Sequence, residues 1–233
     1  MRQTFSAPDN WRVFWRQLPS EIEKLGINTV GIIVLISIFM GVIMTMQTVM
    51  NTENPMLPRY STGLVLRDTL LLEFSSTIMS LLLAGKVGSN IASEIGTMRI
   101  TEQIDALDIM GVNSANFLIL PKILACIIFN PLLIAISIVV GVFGGYLAGV
   151  FTGSWTESNY ITGVQMDFPT FFIWYAFMKT AVFAFLIATI PAYFGYNVKG
   201  GSLEVGRAST QAVVWTIVAI IIANLILTQM FLG

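Results

Sequence analysis

A polar stretch in the middle of the chain, Gly85–Gly111, reads GKVGSNIASEIGTMRITEQIDALDIMG. This polar segment carries six charged side chains and lies between two segments that are apolar enough to enter a lipid bilayer. It cannot itself lie in hydrocarbon, because each unpaired charge there costs about 2.5 to 3.5 kcal/mol. We therefore expect a surface segment between two membrane spans, where a partner could bind.

The composition of the chain is typical of an integral membrane protein. Of its 233 residues, 55% are hydrophobic and only 11% are charged, and the mean hydropathy is +0.79, far more apolar than a soluble domain. Crossing a hydrocarbon core takes roughly 20 mostly apolar residues. The sequence therefore predicts an all-α membrane protein of a single domain, 1–233, with five spans at 26–50, 64–88, 117–152, 169–195 and 208–232.

Basic residues predict the orientation of the chain, because Lys and Arg near span ends are retained on the cytoplasmic side. With a cytoplasmic N-terminus, the outer loops hold only Arg59, whereas nine basic residues lie in inner segments: Arg2, Arg12, Arg16, Lys24, Lys86, Arg99, Lys122, Lys199 and Arg207. Five crossings then place the C-terminus on the outer side and the polar segment in the cytoplasm.

The N-terminal region, 1–25, has the pattern of an amphipathic helix that lies in the membrane interface. Apolar residues recur at helical spacing among polar ones: Trp11, Phe14, Trp15, Leu18, Ile22 and Leu25. Pro19 would bend this helix. A disordered tail is the alternative. A cleavable signal is not expected, because Asp9, Glu21 and Glu23 precede the first apolar run.

The sequence offers little for bond chemistry. It contains no histidine, and its single cysteine, Cys126, lies within an apolar run, so neither a histidine relay nor a thiolate metal cluster is expected. The phosphate-binding pattern G-x-x-x-x-G-K-[ST] is absent, because Ser80 stands five positions before Gly85. We expect no catalytic residue, metal or cofactor in this chain, and any nucleotide that drives it must be bound by another chain.

Two charged residues, Glu73 and Lys179, lie inside the second and fourth predicted spans. Each must face a partner or a wet cavity, because an isolated charge in the bilayer is unfavourable. Glu73 with Lys179 is the natural pairing. A structural ion pair and a polar contact in a substrate cavity both explain these residues, and the sequence leaves the two open.

Four glycines recur every four residues in the third predicted span, at Gly141, Gly145, Gly149 and Gly153. This spacing puts them on one helical face, where another backbone can approach closely. Packing within the chain and a contact with a second subunit both fit the pattern.

The polar segment itself has helical periodicity. Apolar residues follow one another at steps of three and four, with a slip near Gly96 and Thr97: Ile91, Ile95, Met98, Ile100, Ile104 and Leu107. The pattern predicts two short helices. A solvated hairpin and a docking surface for a soluble subunit are the two interpretations, and the pattern does not decide between them.

Two motifs resemble those of one transporter family. The run AGKVGSNIASEIGTMRITEQIDAL, Ala84–Leu107, closely resembles the signature of the MlaE/YrbE family of ABC-transporter permeases. A second run before the last span, GYNVKGGSLEVGRASTQAVV, Gly195–Val214, is similar to another element of that family. With the span number, the resemblance covers nearly the whole chain.

The resemblance implies a homodimeric permease in the bacterial inner membrane, with a periplasmic C-terminus and a cytoplasmic coupling helix between the second and third spans. That coupling region, 91–110, would dock into a groove of a cytoplasmic ABC ATPase dimer. It would use polar side chains at Glu94, Arg99, Glu102 and Asp105, and apolar ones at Ile95, Met98 and Ile104. ATP and Mg²⁺ would be bound by the ATPase, so the chain itself would not be an enzyme.

Lipid transport is the function that the resemblance implies. The family moves phospholipids between the inner membrane and a periplasmic lipid carrier of the MCE class, which maintains the lipid asymmetry of the outer membrane. A small STAS-type regulatory subunit is a further partner, and nucleic acid is not one. Import of another hydrophobic lipid, such as a sterol or fatty acid, is the alternative, and a secondary carrier is a weaker one.

The resemblance also points to a lipid cavity. Glu73 and Lys179 match charged positions that family members place near it. Leu72 stands where many relatives have an arginine, and Arg67, about a turn and a half earlier, is the candidate substitute. Lys86 replaces another usual arginine, which keeps the charge but not the bidentate donor geometry.

Overall fold

The computed structural model describes residues 11–232 apart from 53–57, 59, 153–156 and 167, and these described residues contain helices and no strand. The α-helices are α1 Trp11–Ile22, α2 Asn28–Thr52, α3 Ser61–Thr69, α4 Met79–Leu83, α5 Ser89–Ile100, α6 Gln103–Ile109, α7 Ser114–Thr152, α8 Glu157–Gln165, α9 Thr170–Tyr196 and α10 Ser202–Leu232. Three π-helical segments join some of them: Glu23–Ile27, Leu70–Ile78 and Ala84–Gly88.

Five helical stretches among the described residues are long and apolar enough to cross a membrane: Trp11–Met50, Ser61–Ile100, Ser114–Phe151, Thr170–Tyr196 and Ser202–Phe231. Their apolar side chains suit a lipid environment, in which a helix satisfies every backbone hydrogen bond within the segment. The predicted all-α, multi-pass membrane fold is confirmed.

The N-terminal helix is not a separate element in the structure. Helix α1 runs through Pro19 and continues by the π-helical segment Glu23–Ile27 into α2. The change in helical geometry therefore comes after Pro19, where the sequence analysis placed a bend. Phe14 and Leu18 are buried and Trp11 is exposed, as expected for an amphipathic helix. Residues 1–10 of the predicted interfacial region lie outside the described residues.

The second span extends further than its hydropathy predicted. Its helical path reaches Ile100 rather than ending at 88, so α5 is a continuation of the span. The polar segment does hold two helices, but the predicted slip at Gly96 is wrong, because the break comes at Glu102, whose φ is 59°. Packing explains the difference, since a Cβ on Gly96 would lie 3.1 Å from Val205 Cγ1, and this close contact supports a helical glycine despite its low propensity.

The chain divides into two compact units. The first comprises 1–28, 80–131 and 180–233, and the second comprises 29–79 and 132–179. In the first unit α5 packs mainly on α10, and in the second α3 packs on α8. The core of the second unit is a cluster of buried side chains: Leu66, Leu70, Phe74, Met79, Ile134 and Tyr160.

Glycines allow α2 and α7 to approach closely within the second unit. A Cβ on Gly145 would lie 2.5 Å from Thr45 Oγ1 and 2.7 Å from the Tyr160 hydroxyl, and one on Gly141 would lie 3.2 Å from Leu70 Cδ2. These two members of the glycine repeat therefore serve packing within the chain. Gly153 lies outside the described residues.

Candidate functional site

Helix α5, the first half of the coupling region, is largely buried against the rest of its own unit. Ile91, Ala92 and Ile95 are buried, and the backbone of Gly195 comes so close that a Cβ there would lie 2.6 Å from the Ala92 carbonyl oxygen. The resemblance implied that Ile95 fills a hollow in an ATPase. In the structure Ile95 is fully buried within this chain, so it is not available to a partner.

Helix α6, the second half, has a buried side and an exposed side. Ile104 is fully buried, whereas Ile109 is 86% exposed and Met110 is 68% exposed. We call the exposed set the α6 surface, which consists of Glu102, Asp105, Asp108, Ile109 and Met110. It combines three acidic groups with two apolar side chains that water does not favour.

The sequence analysis did not single out Ile109 and Met110, which the structure leaves exposed. The signal was present in the sequence, because two large apolar residues adjoin Asp108 at the end of a segment that is otherwise polar. Of the apolar positions that were predicted to contact a partner, Met98 is half-buried, and Ile104 is buried within the chain like Ile95.

Local contacts hold α6 in place at both ends. Arg99 Nη1 donates to Asp105 Oδ1 at 2.6 Å, and the Arg99 guanidinium carbon lies 6.0 Å from the centre of the Tyr196 ring, a cation–π arrangement. At the other end, the Ser114 amide donates to Asp108 Oδ1 at 3.4 Å. Arg99 and Asp105, both predicted site residues, thus form an ion pair that joins α5 to α6.

Glu94, whose side chain is 34% exposed, takes part in a group of charges within the first unit. Lys122 Nζ donates to Glu94 Oε2 at 2.5 Å and to Glu21 Oε2 at 2.7 Å, and Lys24 Nζ lies 3.7 Å from Glu94 Oε1. We call Glu21, Lys24, Glu94 and Lys122 the Lys122 cluster. The sequence analysis did not predict this cluster, because it treated Lys122 as one of the basic residues that flank a span on the cytoplasmic side.

In the second unit the structure brings Glu73 and Lys179 together, as the sequence analysis paired them. Lys179 Nζ donates to Glu73 Oε1 and to the Leu72 carbonyl oxygen, each at 2.9 Å, and Thr77 Oγ1 donates to Glu73 Oε2 at 2.9 Å. Glu73 lies within the π-helical segment Leu70–Ile78, and such segments are frequent at functional sites.

The two members of this pair differ in exposure. The Lys179 side chain is fully buried, whereas 43% of the Glu73 side chain is exposed. Lys179 therefore supplies a buried positive charge that stabilises Glu73, and the Glu73 side chain remains partly exposed. Both earlier interpretations, a structural ion pair and a polar contact for substrate, fit this geometry.

Arg67 is engaged elsewhere in the second unit. Its guanidinium is 3% exposed and donates to the carbonyl oxygens of Val164, at 3.1 Å, and Met166, at 2.5 Å, as well as to Asp68 Oδ1 at 2.9 Å. These carbonyls lie at the C-terminal end of α8, where a cation is favoured. Arg67 thus anchors α8 and does not offer its donors to a lipid headgroup.

The described part of the chain contains no group of three or more Cys, Asp or Glu side chains that could hold a metal ion, and the sequence has no histidine. Cys126 is buried.

Comparisons with known proteins identify the family of the chain. The family model described as Permease MlaE matches residues 18–230. Similar proteins include a probable ABC transporter permease protein of Rickettsia bellii, 35% identical over 94% of this chain and 84% of that protein. Another is the intermembrane phospholipid transport system permease protein MlaE of Haemophilus influenzae, 28% identical over 93% of this chain and 83% of that protein. Protein TRIGALACTOSYLDIACYLGLYCEROL 1 of Arabidopsis thaliana is 30% identical over 94% of this chain and 63% of that protein. The family model covers most of the chain, which therefore belongs to the MlaE family of permeases.

Proposed function

We propose that this chain is the permease subunit of an ABC transporter that moves phospholipids between the inner membrane and a periplasmic carrier of the MCE class. In this proposal two copies of the chain form the membrane part, and a cytoplasmic ATPase dimer binds ATP and Mg²⁺. The Haemophilus influenzae relative is named as a phospholipid transport permease, which supports this substrate class. The observation that carries the proposal is the α6 surface.

The α6 surface has the properties of a docking site for another protein. Ile109 and Met110 are the apolar residues that a partner would bury, and Glu102 and Asp108 would pair with basic groups around them. Helix α5 directly precedes this surface and is the end of the second span. A force that the ATPase exerts on α6 therefore acts on the end of a membrane-spanning helix.

In the same proposal Glu73 contacts the lipid headgroup, and the buried Lys179 holds Glu73 in place. A carboxylate that is partly exposed within a span would be unfavourable in hydrocarbon, and a polar neighbour is favoured beside it. The cationic amine of a zwitterionic phospholipid is such a neighbour, because it complements the negative charge that Lys179 already stabilises. Apolar side chains around the pair would accept acyl chains.

Charge reversal at one position tests the docking role. Glu102 is exposed, and Glu102→Lys places a cation where we expect basic groups of the ATPase, so the ATPase should no longer co-purify with the permease. Glu23→Lys, on an exposed residue of the first unit, is the control and should leave co-purification intact. Asp105 is less suitable, because its reversal would also break the contact with Arg99.

Transport itself is tested with the reconstituted complex. We expect ATP-dependent transfer of labelled phospholipid from nanodiscs to the purified MCE-class carrier, and none with Glu102→Lys. Faster transfer of a labelled sterol or fatty acid than of phospholipid would favour the alternative substrate. Transfer that persists without the ATPase, driven by an ion gradient, would refute the proposal in favour of a secondary carrier.

A further inference from the structure

The Lys122 cluster connects three helices of the first unit that are far apart in sequence. Lys122 lies near the start of α7, Glu21 lies in the last turn of α1, and Glu94 lies in the middle of α5. Lys122 donates to one carboxylate oxygen of each, at 2.7 Å and 2.5 Å. One ammonium group therefore holds the carboxylates of two other helices.

The Lys122 contacts are largely buried, which strengthens the electrostatic attraction between the charges. The Lys122 side chain is only 3% exposed, and that of Glu21 is 13% exposed. Solvent and salt therefore screen the Lys122–Glu21 contact far less than a surface ion pair. Lys24 adds a second, more exposed cation near Glu94, so two positive and two negative groups balance within the cluster.

The two helices that carry the carboxylates have different surroundings. Helix α1 exposes Trp11 and Trp15 and buries Phe14 and Leu18, and it leads into the first span through the π-helical segment Glu23–Ile27. Helix α5 ends at Ile100, two residues before Glu102 of the α6 surface. The cluster thus connects an amphipathic helix with tryptophans, which favour the membrane interface, to the helix that directly precedes the docking surface.

We propose that the Lys122 cluster is the mechanical link through which movement of α5 and α6 reaches α1. This inference rests on the proposed function, in which an ATPase moves the α6 surface. Glu21 and Lys122 are positioning residues, because in this proposal they touch neither lipid nor nucleotide and act by holding α1 to α5. Helix α1 then moves with α5 in each ATP cycle and changes the lipid environment beside the first span.

Glu21→Gln is the variant that tests the link. Glutamine keeps the size of the side chain but removes the charge that Lys122 binds, while the Lys122–Glu94 contact remains. Glu23→Gln is the matched control, since Glu23 lies two residues further on, is exposed, and has no ion pair within the described part of the chain. The readout is hydrogen–deuterium exchange of the permease–ATPase complex in nanodiscs, with and without ATP.

In the wild type and in Glu23→Gln, ATP should change exchange in both α6 and α1. In Glu21→Gln, the α6 response should persist, whereas the α1 response should fall by about threefold or more. The lipid transferred per ATP hydrolysed should fall in parallel, at an unchanged amount of assembled complex. Lys122→Arg, which keeps the charge, should retain the α1 response, and a purely structural role would not produce this split between helices.

Several results would overturn the link. An α1 response in Glu21→Gln equal to that of the wild type would refute it, and so would an equal loss in Glu21→Gln and Glu23→Gln. A wild type that responds at α6 but not at α1 would refute the link alone. A wild type without any ATP response at α6 would instead refute the proposed function, so the two failures are distinguishable.

Discussion

Replacement of Lys179 by methionine tests whether the Glu73–Lys179 pair is a structural ion pair or also contacts the substrate. Methionine retains an unbranched apolar stem but lacks the ammonium group that donates to Glu73 Oε1 and to the Leu72 carbonyl oxygen, both at 2.9 Å. Glu73 would keep the hydrogen bond from Thr77 Oγ1 but would lose the charge of Lys179. The variant therefore leaves a carboxylate inside a span without this cation.

The exposure of the pair sets the size of the effect. Removing one partner of a fully buried ion pair costs about 3 to 5 kcal/mol. The Glu73 side chain is 43% exposed, so its surroundings relieve part of that cost, and we expect a loss of about 1 to 3 kcal/mol. For a chain of this size, that loss corresponds to a decrease in Tm of about 2 to 12 °C.

The double variant Glu73→Gln/Lys179→Met separates stability from function. It removes both charges, so its stability should return to within about 1 kcal/mol of the wild type. If Glu73 also contacts the headgroup, lipid transfer per folded molecule should remain low in the double variant although its stability has recovered. Thermal unfolding and ATP-driven transfer are measured in the same nanodiscs for both single variants and the double variant.

Two outcomes would refute this reasoning. Recovery of transfer together with stability would show that the pair is only structural and that Glu73 does not contact lipid. A double variant as unstable as Lys179→Met would show that the loss comes from packing around Lys179, whose side chain is fully buried, and not from an uncompensated carboxylate.

Three further predictions concern the other sites. Ile109→Ser should reduce co-purification of the ATPase without lowering Tm, because 86% of Ile109 is exposed; a lower Tm would place it in the core instead. Arg67→Gln should destabilise the fold by about 1.5 to 3 kcal/mol, because hydrogen bonds to α8 are lost. Lipid transfer per folded molecule should stay normal in this variant. A selective loss of transfer would show that Arg67 belongs to the lipid site. Gly145→Ala should cost about 1 to 3 kcal/mol, because its Cβ would lie 2.5 Å from Thr45 Oγ1, and an unchanged Tm would contradict this close packing.

The fold class could be predicted from the sequence because hydropathy is a local property. A run of apolar residues identifies a span without reference to other parts of the chain, and the five spans follow from such runs. The ends of the helices depend on packing, which is not local. Helix α5 continues the second span to Ile100 because Gly96 and Gly195 allow close contacts within the first unit. These contacts cannot be predicted from hydropathy.

The two charged sites differ in the same way. Glu73 and Lys179 could be paired from the sequence, because a charge inside a span needs a partner and few partners were available. Lys122 lies near the start of a span, at the end that the basic residues predict to be cytoplasmic, and a lysine is expected there without any partner. Its contacts with Glu21 and Glu94 span 101 and 28 residues of sequence, so only the folded chain reveals them.

The two halves of the family motif differ in burial, and in the proposed function only the second half concerns a partner. Its first half forms α5, where Ile95 is buried within the chain and Glu94 is bound by Lys122. Its second half forms α6 and ends beside the exposed Ile109 and Met110. A side chain that is already buried within its own chain can bury little further area against a partner. Exposed apolar groups are stabilised when a partner covers them, because they are removed from water. We therefore expect the affinity for the ATPase to come from α6, and the response to its movement to come from α5.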